Sequence, residues 1–327
     1  MIDLSVTYLG KKLANPVVVS SCGLVKDLAG VRRYAAAGAG AIVLKSLFEE
    51  QLAAENAEVT EPSWLGDHAE AYDYLQNSRM ELGPREYLEL IAAAKREVAI
   101  PVFASLNCVS PRWWNQYARR IQDAGADGIE LNMALRPSHP GHDSAEIEHV
   151  YWKILEQVKR EVSIPVAVKM GPFFTTMARH AKELSFRGAS ALVLFNRFSN
   201  VDIDIEQLKL KNAPILSHPV ETHLPLRWIS LLSGRIQCDL AASTGIHEAK
   251  QAIQHLLAGA TVVMVCSTLY LHGPEQIGTI CQGISRWMEK QGFSSLADFR
   301  GRLSQEKSGN PDGFERLQYI KALVGIE

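Results

Sequence analysis

The chain has 327 residues, of which 47% are hydrophobic and 21% charged, a balance that excludes a disordered or fibrous protein and allows a sizeable core. Its 34 basic and 36 acidic residues leave a formal net charge of -2, so no global field draws it to nucleic acid or to an anionic membrane, and a small-molecule partner is expected. The five cysteines, Cys22, Cys108, Cys238, Cys266 and Cys281, are scattered without a CxxC pair, which excludes an obvious zinc or iron–sulfur site.

The opening MIDLSVTYLGKKLANPVVVSS lacks the charged start, apolar middle and cleavage site of a signal peptide. No apolar run approaches the roughly 18 residues of a membrane span. A cytoplasmic protein starting near Met1 is expected. Strand candidates then begin near Val17, Ala41, Val102, Gly128, Val166, Ala191, Asp239 and Val262. Helical segments lie between and after them at roughly 28–38, 84–98, 113–125, 144–162, 175–188, 225–235, 247–259 and 275–291.

Two phrases organise this alternation. In AAAGAGAIVLK (35–45), QDAGADGIELN (122–132), SFRGASALVLFN (185–196) and HLLAGATVVMV (255–265) a helix ends in Gly-Ala and an apolar strand follows. The glycine suits a left-handed helix end, and the strand is too apolar to have an exposed face. In VAIPVFASL (98–106) and VSIPVAVKM (162–170) Ile-Pro-Val opens the strand. Eight β-then-α units predict a closed (β/α)8 barrel spanning residues 1–327 as one domain. An open doubly wound sheet is disfavoured, since no GxGxxG follows the first strand. Two long βα connections, 46–83 and 197–224, fall on the catalytic face and are expected to wall the pocket.

Polar residues at the C-terminal ends of barrel strands read as catalytic. Here they are Ser21, Lys45 with Ser46, Asn107, Asn132, Lys169, Asn196, Ser243 with Thr244, and Ser267 with Thr268. Lysines ending apolar strands are costly to bury without an anion or polarised ring to face. A carboxylate such as Glu130 or Glu50 is the plainer partner. Two lysines and three asparagines converging on one mouth suit an isoalloxazine ring, which needs donors to stabilise its reduced anion. The small-residue stretches AASTGIHEA (241–249) and MVCSTLYLHG (264–273) follow the last two strands, where barrels commonly hold phosphate, with ordinary helix capping as the alternative.

At these residues the sequence resembles the dihydroorotate dehydrogenase family of FMN barrels, over nearly the whole chain. The likeness is carried by NP…SSCG near the start, LKS at 44–46, ELN at 130–132, VKMGPFF at 168–174, Asn196, STGI at 243–246 and GFSSLADFRGRL at 292–303. The resemblance implies FMN as cofactor, with Ser21, Cys22 and Gly23 approaching it by backbone and Lys45, Ser46, Asn132 and Lys169 bonding its ring. It implies Thr244, Gly245, Cys266 and Ser267 around the phosphate, where the family usually has glycine at 266. Lys45, Asn77, Asn132 and Asn196 match positions that grip the substrate, and the implied reaction is oxidation of dihydroorotate to orotate in pyrimidine biosynthesis.

One departure concerns the catalytic base. Oxidising dihydroorotate requires removal of a proton from C5, for which the family supplies Cys or Ser in the loop after the fourth strand. In ELNMALRPSHPGHD that position falls on Leu135, beside Ala134, and the following Pro-Asn becomes Arg136-Pro137. Three explanations stand: another base, with Cys108, His139 or His142 as candidates; a different small anionic substrate held by Arg136; or FMN binding without turnover. The catalytic set is accordingly Lys45, Asn132 and Cys108. The electron acceptor is expected to be soluble rather than a quinone, and a homodimer is allowed. A competing class is a flavin-free, phosphate-binding lyase or aldolase with Lys169 or Lys45 as Schiff-base residue.

Overall fold

The computed structural model describes residues 2–49, 51–52, 83–110, 114–133, 135, 141, 143–197, 201–212 and 214–325. Eight strands, β3 (Val17–Val19), β4 (Ala41–Val43), β6 (Val102–Cys108), β7 (Gly128–Met133), β8 (Val166–Met170), β9 (Ala191–Leu194), β12 (Asp239–Ser243) and β13 (Val262–Val265), pair in parallel in that order. Pairing of β13 with β3 closes the ring. The fold is the (β/α)8 barrel expected from the alternating pattern, and each strand begins at the predicted residue.

The recurring phrases explain the regularity. Gly38, Gly125, Gly188 and Gly259 all have positive φ, so each Gly-Ala glycine ends its helix in a conformation other residues reach only with strain. In the Ile-Pro-Val phrase the proline has no N–H to leave unpaired. The carbonyls of Pro101 and Pro165 accept hydrogen bonds from Ile42 (3.1 Å) and Ile129 (3.0 Å) of the neighbouring strands.

The helices α1 (Leu28–Ala36), α2 (Pro84–Glu97), α3 (Trp114–Asp123), α4 (Ser144–Glu161), α5 (Met177–Phe186), α6 (His223–Leu232), α7 (Ala249–Ala258) and α9 (Gln276–Gln291) form the outer layer. Their ends lie within a few residues of the expected ones. Aliphatic faces such as Leu90, Ile91 and Ala94 of α2 and Ile154, Leu155 and Val158 of α4 pack into the continuous core.

Several elements carry no barrel periodicity and were not anticipated. An N-terminal hairpin, β1 (Val6–Tyr8) and β2 (Lys11–Leu13), closes the lower end. There Tyr8 is buried edge-on against Phe103, and the Leu9 N–H donates to Asp239 at 3.0 Å. Strand β5 (Leu47–Phe48) extends the sheet beside β6. A hairpin, β10 (Val201–Asp204) and β11 (Lys209–Asn212), occupies the second long connection. Short α8 (Ser267–His272) follows β13, and α10 (Phe314–Val324) ends the chain.

His180 on α5 is fully buried, stacked on Phe174 at 4.1 Å and edge-on to Tyr151, and neither ring nitrogen has a hydrogen-bond partner among the described residues. Burial lowers its pKa to about 4. Because the folded-state value lies below the unfolded one of about 6.5, the neutral ring's contribution is complete above that pH and is lost as pH falls toward 4. His180→Phe should therefore lose about 2 kcal/mol less stability than the wild type between pH 7 and pH 4.5. Urea unfolding at both pH values measures the difference.

Candidate functional site

Side chains alternate along each strand, so every second residue of a barrel strand points inward. This parity brings Ser20, Ser105, Glu130, Asn132, Lys169, Asn196 and Cys266 to the interior at the upper end. Lys169 and Glu130 are 6% and 1% exposed. The Lys169 ammonium stands 3.7 Å from a Glu130 oxygen and donates to Ser20 Oγ at 3.3 Å. Burial raises the Glu130 pKa, with Lys169 pulling against it. The plainer expectation, that Lys169 meets Glu130, is thus met, but loosely: neither Glu130 oxygen has a hydrogen-bond partner among the described residues.

A chain of hydroxyls crosses the mouth, Ser21 to Ser46 at 3.0 Å and Ser46 to Ser105 at 2.8 Å. It exists because the chain leaves the ladder between β4 and β5 to form Lys45 and Ser46. In that gap the Tyr87 hydroxyl of α2 accepts from the Ser105 N–H (2.8 Å) and donates to its carbonyl (3.2 Å). Lys45 is half-buried, and among the described residues no carboxylate pairs with it. Opposite, Asn196 Nδ2 donates to Asn132 Oδ1 at 2.9 Å, bridging β7 and β9 over the intervening Lys169 strand. Glu49 is buried and accepts from the Val109 and Ser110 N–H groups at 2.9 and 2.8 Å, from the Ser110 hydroxyl and from Trp114 Nε1, tying the first long connection to the loop after β6.

Of these groups Ser20, Ser21, Lys169 and Asn196 border a cavity of about 140 Å³, with Thr244 and Ser267 among its other lining residues. At its far end Thr244 and Gly245 both have positive φ, 81° and 74°. Thr244, a β-branched residue, is strained there. Its Oγ1 donates to the Phe195 carbonyl at 3.1 Å and holds the turn. A Cβ on Gly245 would lie 2.3 Å from the Thr222 nitrogen, so the glycine allows the strap 214–222 to lie directly on the loop.

Ser217, in that strap, interlocks the two terminal loops. Its Oγ accepts from the Gly245 N–H at 3.3 Å, donates to Ser267 Oγ at 3.0 Å and contacts His247 Nε2 at 3.3 Å. Ser267 Oγ also accepts from the Ser217 N–H at 2.8 Å. With both acceptor sites occupied, the Ser267 proton is free to be donated elsewhere. Arg197 pins the strap from the other side, donating to Glu221 at 2.8 Å and to the Pro214 and Ile215 carbonyls.

The structure therefore gathers Ser21, Lys169, Asn196, Thr244, Gly245, Cys266 and Ser267 around one cavity, with Ser46 bonded to Ser21 and Asn132 to Asn196. The Cys22 and Cys266 thiols are neighbours, and their contact, with burial, raises the pKa of Cys22, while contact with Cys22 lowers that of Cys266. Gly23 lies under the Tyr270 hydroxyl, 2.9 Å from where a Cβ would be. Cys108 must be corrected as a candidate base. It has the opposite parity to Ser105 and Asn107, is 0% exposed in the core, contacts the Leu106 carbonyl, and has a pKa raised by burial. Asn77, Arg136, His139 and His142 lie outside the described residues. Sequence reasoning missed Ser20, Ser105, Arg197 and Ser217. Strand parity signals the first two, whereas the strap carries no periodicity at all.

Among the described residues no cluster suits a metal ion, and no helix is long and apolar enough to cross a membrane. Fold and mouth define a (β/α)8 barrel protein with a small-molecule cavity over its strand ends. The family model for dihydroorotate dehydrogenase matches residues 3–288, and the chain belongs to that family. It is 25% identical over 307 residues to the dihydroorotate dehydrogenase B (NAD(+)) catalytic subunit of Methanothermobacter thermautotrophicus, covering 92% of this chain and 98% of the relative. It is 26% identical over 305 residues to that of Thermoplasma acidophilum, covering 92% and 99%. Over 234 residues it is 28% identical to an Aeropyrum pernix protein provisionally named dihydroorotate dehydrogenase A (fumarate), covering 67% and 72%.

Gly245→Ala should cost about 2–4 kcal/mol, because the methyl meets the strap backbone and φ is unfavourable. Thr244→Gly, where glycine accepts the positive φ, should change stability by under about 1 kcal/mol. Denaturant unfolding of both variants checks the contrast.

Proposed function

We propose that this chain is an FMN-dependent oxidoreductase, one domain over residues 1–327, acting on a small anionic substrate related to but distinct from dihydroorotate. The observation that carries the reading is Lys169: a buried ammonium with three donors, one hydrogen bond and one loose carboxylate contact, facing a cavity. Donors left over in so dry a site favour a ligand with acceptor atoms. At the other end, the Gly245 turn and the uncommitted Ser267 proton suit a phosphate. These features fit FMN, with Lys169, Lys45, Ser46 and Asn132 toward its ring, Ser21, Cys22 and Gly23 against it by backbone, and Thr244, Gly245, Cys266 and Ser267 at its phosphate. When bound, FMN supplies a two-electron acceptor.

The side chains then have separate tasks. Lys169 and Lys45 place positive charge where negative charge must be stabilised. Asn132 and Asn196, already hydrogen-bonded to each other, present amides that orient a polar planar substrate, with Asn77 and Arg136 as its further ligands. Leu135 is partly buried against the core and has no atom that takes a proton. A general base contributes about 10²–10⁴-fold, so dihydroorotate is expected to be a poor substrate. The family match does not favour the Schiff-base lyase reading.

Purified protein should show a flavin spectrum or gain one with FMN, and Lys169→Met should weaken FMN about 10- to 100-fold in a fluorescence titration, the loss of a charge-assisted hydrogen bond. Colourless protein that FMN does not reconstitute refutes the proposal. Under anaerobic conditions dihydroorotate should bleach the bound flavin slowly or not at all. Rapid bleaching within one turnover would overturn the assignment of a different substrate.

The working unit is a homodimer. On the β10–β11 hairpin the register sets Ile203 opposite Leu210, with Val201 on the same face, all 58–74% exposed. Asp202 pairs with Lys211 on the other face. An isolated two-stranded hairpin is marginal in water, and a contiguous exposed apolar face marks an interaction site. Its neutral, internally paired back face lets a second copy approach without like-charge repulsion. Sedimentation should find a dimer that Ile203→Asp with Leu210→Asp converts to monomer; a monomeric wild type excludes this arrangement.

A further inference from the structure

Behind the loop that carries Gly245 lies a second cavity, of about 390 Å³, lined by Ser217, His218, Pro219, His247, Glu248, Leu271, His272 and Gln276. It touches the main cavity only through Ser217, which lines both. Three imidazoles converge on it from three elements: His218 from the strap, His247 from the loop after β12, and His272 from the end of α8. None of them belongs to the set assigned above to flavin or substrate.

We propose that this cavity is a binding site for an organic phosphate, with the anion among His218, His247 and His272 and the carbon skeleton against Leu271 and Pro219. Imidazole is the side chain whose charge changes between about pH 5 and 8, and as a cation it donates from both nitrogens. Three of them line one opening, with Glu248 as the one carboxylate and no lysine or arginine among the lining residues. The clustering fits no metal, since no described group of three such side chains has metal-ligating geometry. Leu271 is 55% exposed, an apolar surface that inorganic phosphate alone would leave uncovered.

The wall between the two cavities is specific. His247 is 5% exposed, its Nε2 contacts Ser217 Oγ at 3.3 Å, and its backbone carbonyl accepts from Thr268 Oγ1 at 3.0 Å and Gln276 Nε2 at 2.8 Å. Its position is thereby fixed by α8 and α9. The charged groups facing it are His218 and Glu221 from the strap and His272 from α8, with Glu248 adjoining in its own loop. Glu221 is already paired with Arg197 at 2.8 Å, and Glu248 sits at the N-cap of α7, where a carboxylate complements the helix dipole. Burial and the two neighbouring imidazoles keep His247 below its ordinary pKa, and an anion seated among the three rings would act in the opposite sense. The Ser217 hydroxyl, shared with the Gly245 N–H and Ser267, carries any shift of His247 to the loop of the first cavity.

The test is calorimetric titration of the full-length protein, in excess FMN, with phenyl phosphate and with inorganic phosphate. At about pH 6 phenyl phosphate should bind about tenfold or more tightly than inorganic phosphate, which leaves Leu271 and Pro219 uncovered. The double variant His218→Asn, His272→Gln should bind phenyl phosphate about tenfold more weakly at the same pH. Both residues are exposed, so the variant's unfolding midpoint and flavin absorbance should match the wild type. Flavin uptake is read separately from the spectrum, which keeps failure of the FMN assignment distinct from failure of this one. Absence of phenyl phosphate binding, equal binding of inorganic phosphate, or binding that the double variant leaves unchanged overturns the proposal; in the last case the anion is adventitious only.

Discussion

The upper half of this barrel depends on one desolvated cation. Lys169 is almost wholly withdrawn from water, and the groups provided for it are a carboxylate at 3.7 Å and a single serine hydroxyl. Removing charge from water costs several kcal/mol per ion, and only good geometry with full hydrogen bonding offsets it. Here the offset is incomplete from both sides, since the Glu130 oxygens have no hydrogen-bond donor among the described residues. Structural ion pairs are usually better made. A pair left loose at the mouth of a cavity reads as a site in which part of the compensation comes from a ligand.

Around this pair the scaffold is rigid in ways that have little to do with the barrel repeat. The Tyr87 hydroxyl replaces a missing ladder partner so that Lys45 and Ser46 can leave the sheet. Glu49 gathers the loop after β6. The Gly245 turn, the strap and Arg197 form a separate unit at the opposite end, laced by Ser217. The two ends of the cavity are therefore held by different elements, and a ligand spanning them would report on both.

Much of the architecture was legible because helix ends and strand starts are marked by local chemistry. The four Gly-Ala glycines take the backbone angles that only glycine adopts freely, and Ile-Pro-Val places proline where no donor is needed. Site residues at strand ends were legible for the same reason, being fixed by parity and register. What escaped was non-periodic. Neither Ser217 nor Arg197 sits on a barrel strand, and their roles come from long-range contacts. Cys108 shows the converse error: a reactive residue type beside the mouth whose strand parity turns it into the core.

The N-terminal hairpin has a bearing on traffic. With Tyr8 lodged beneath the strands and Leu9 tethered to Asp239, the vessel is stoppered at its base and has one rim. Among the described residues, a small molecule reaching the cavity is left the side on which the strands end.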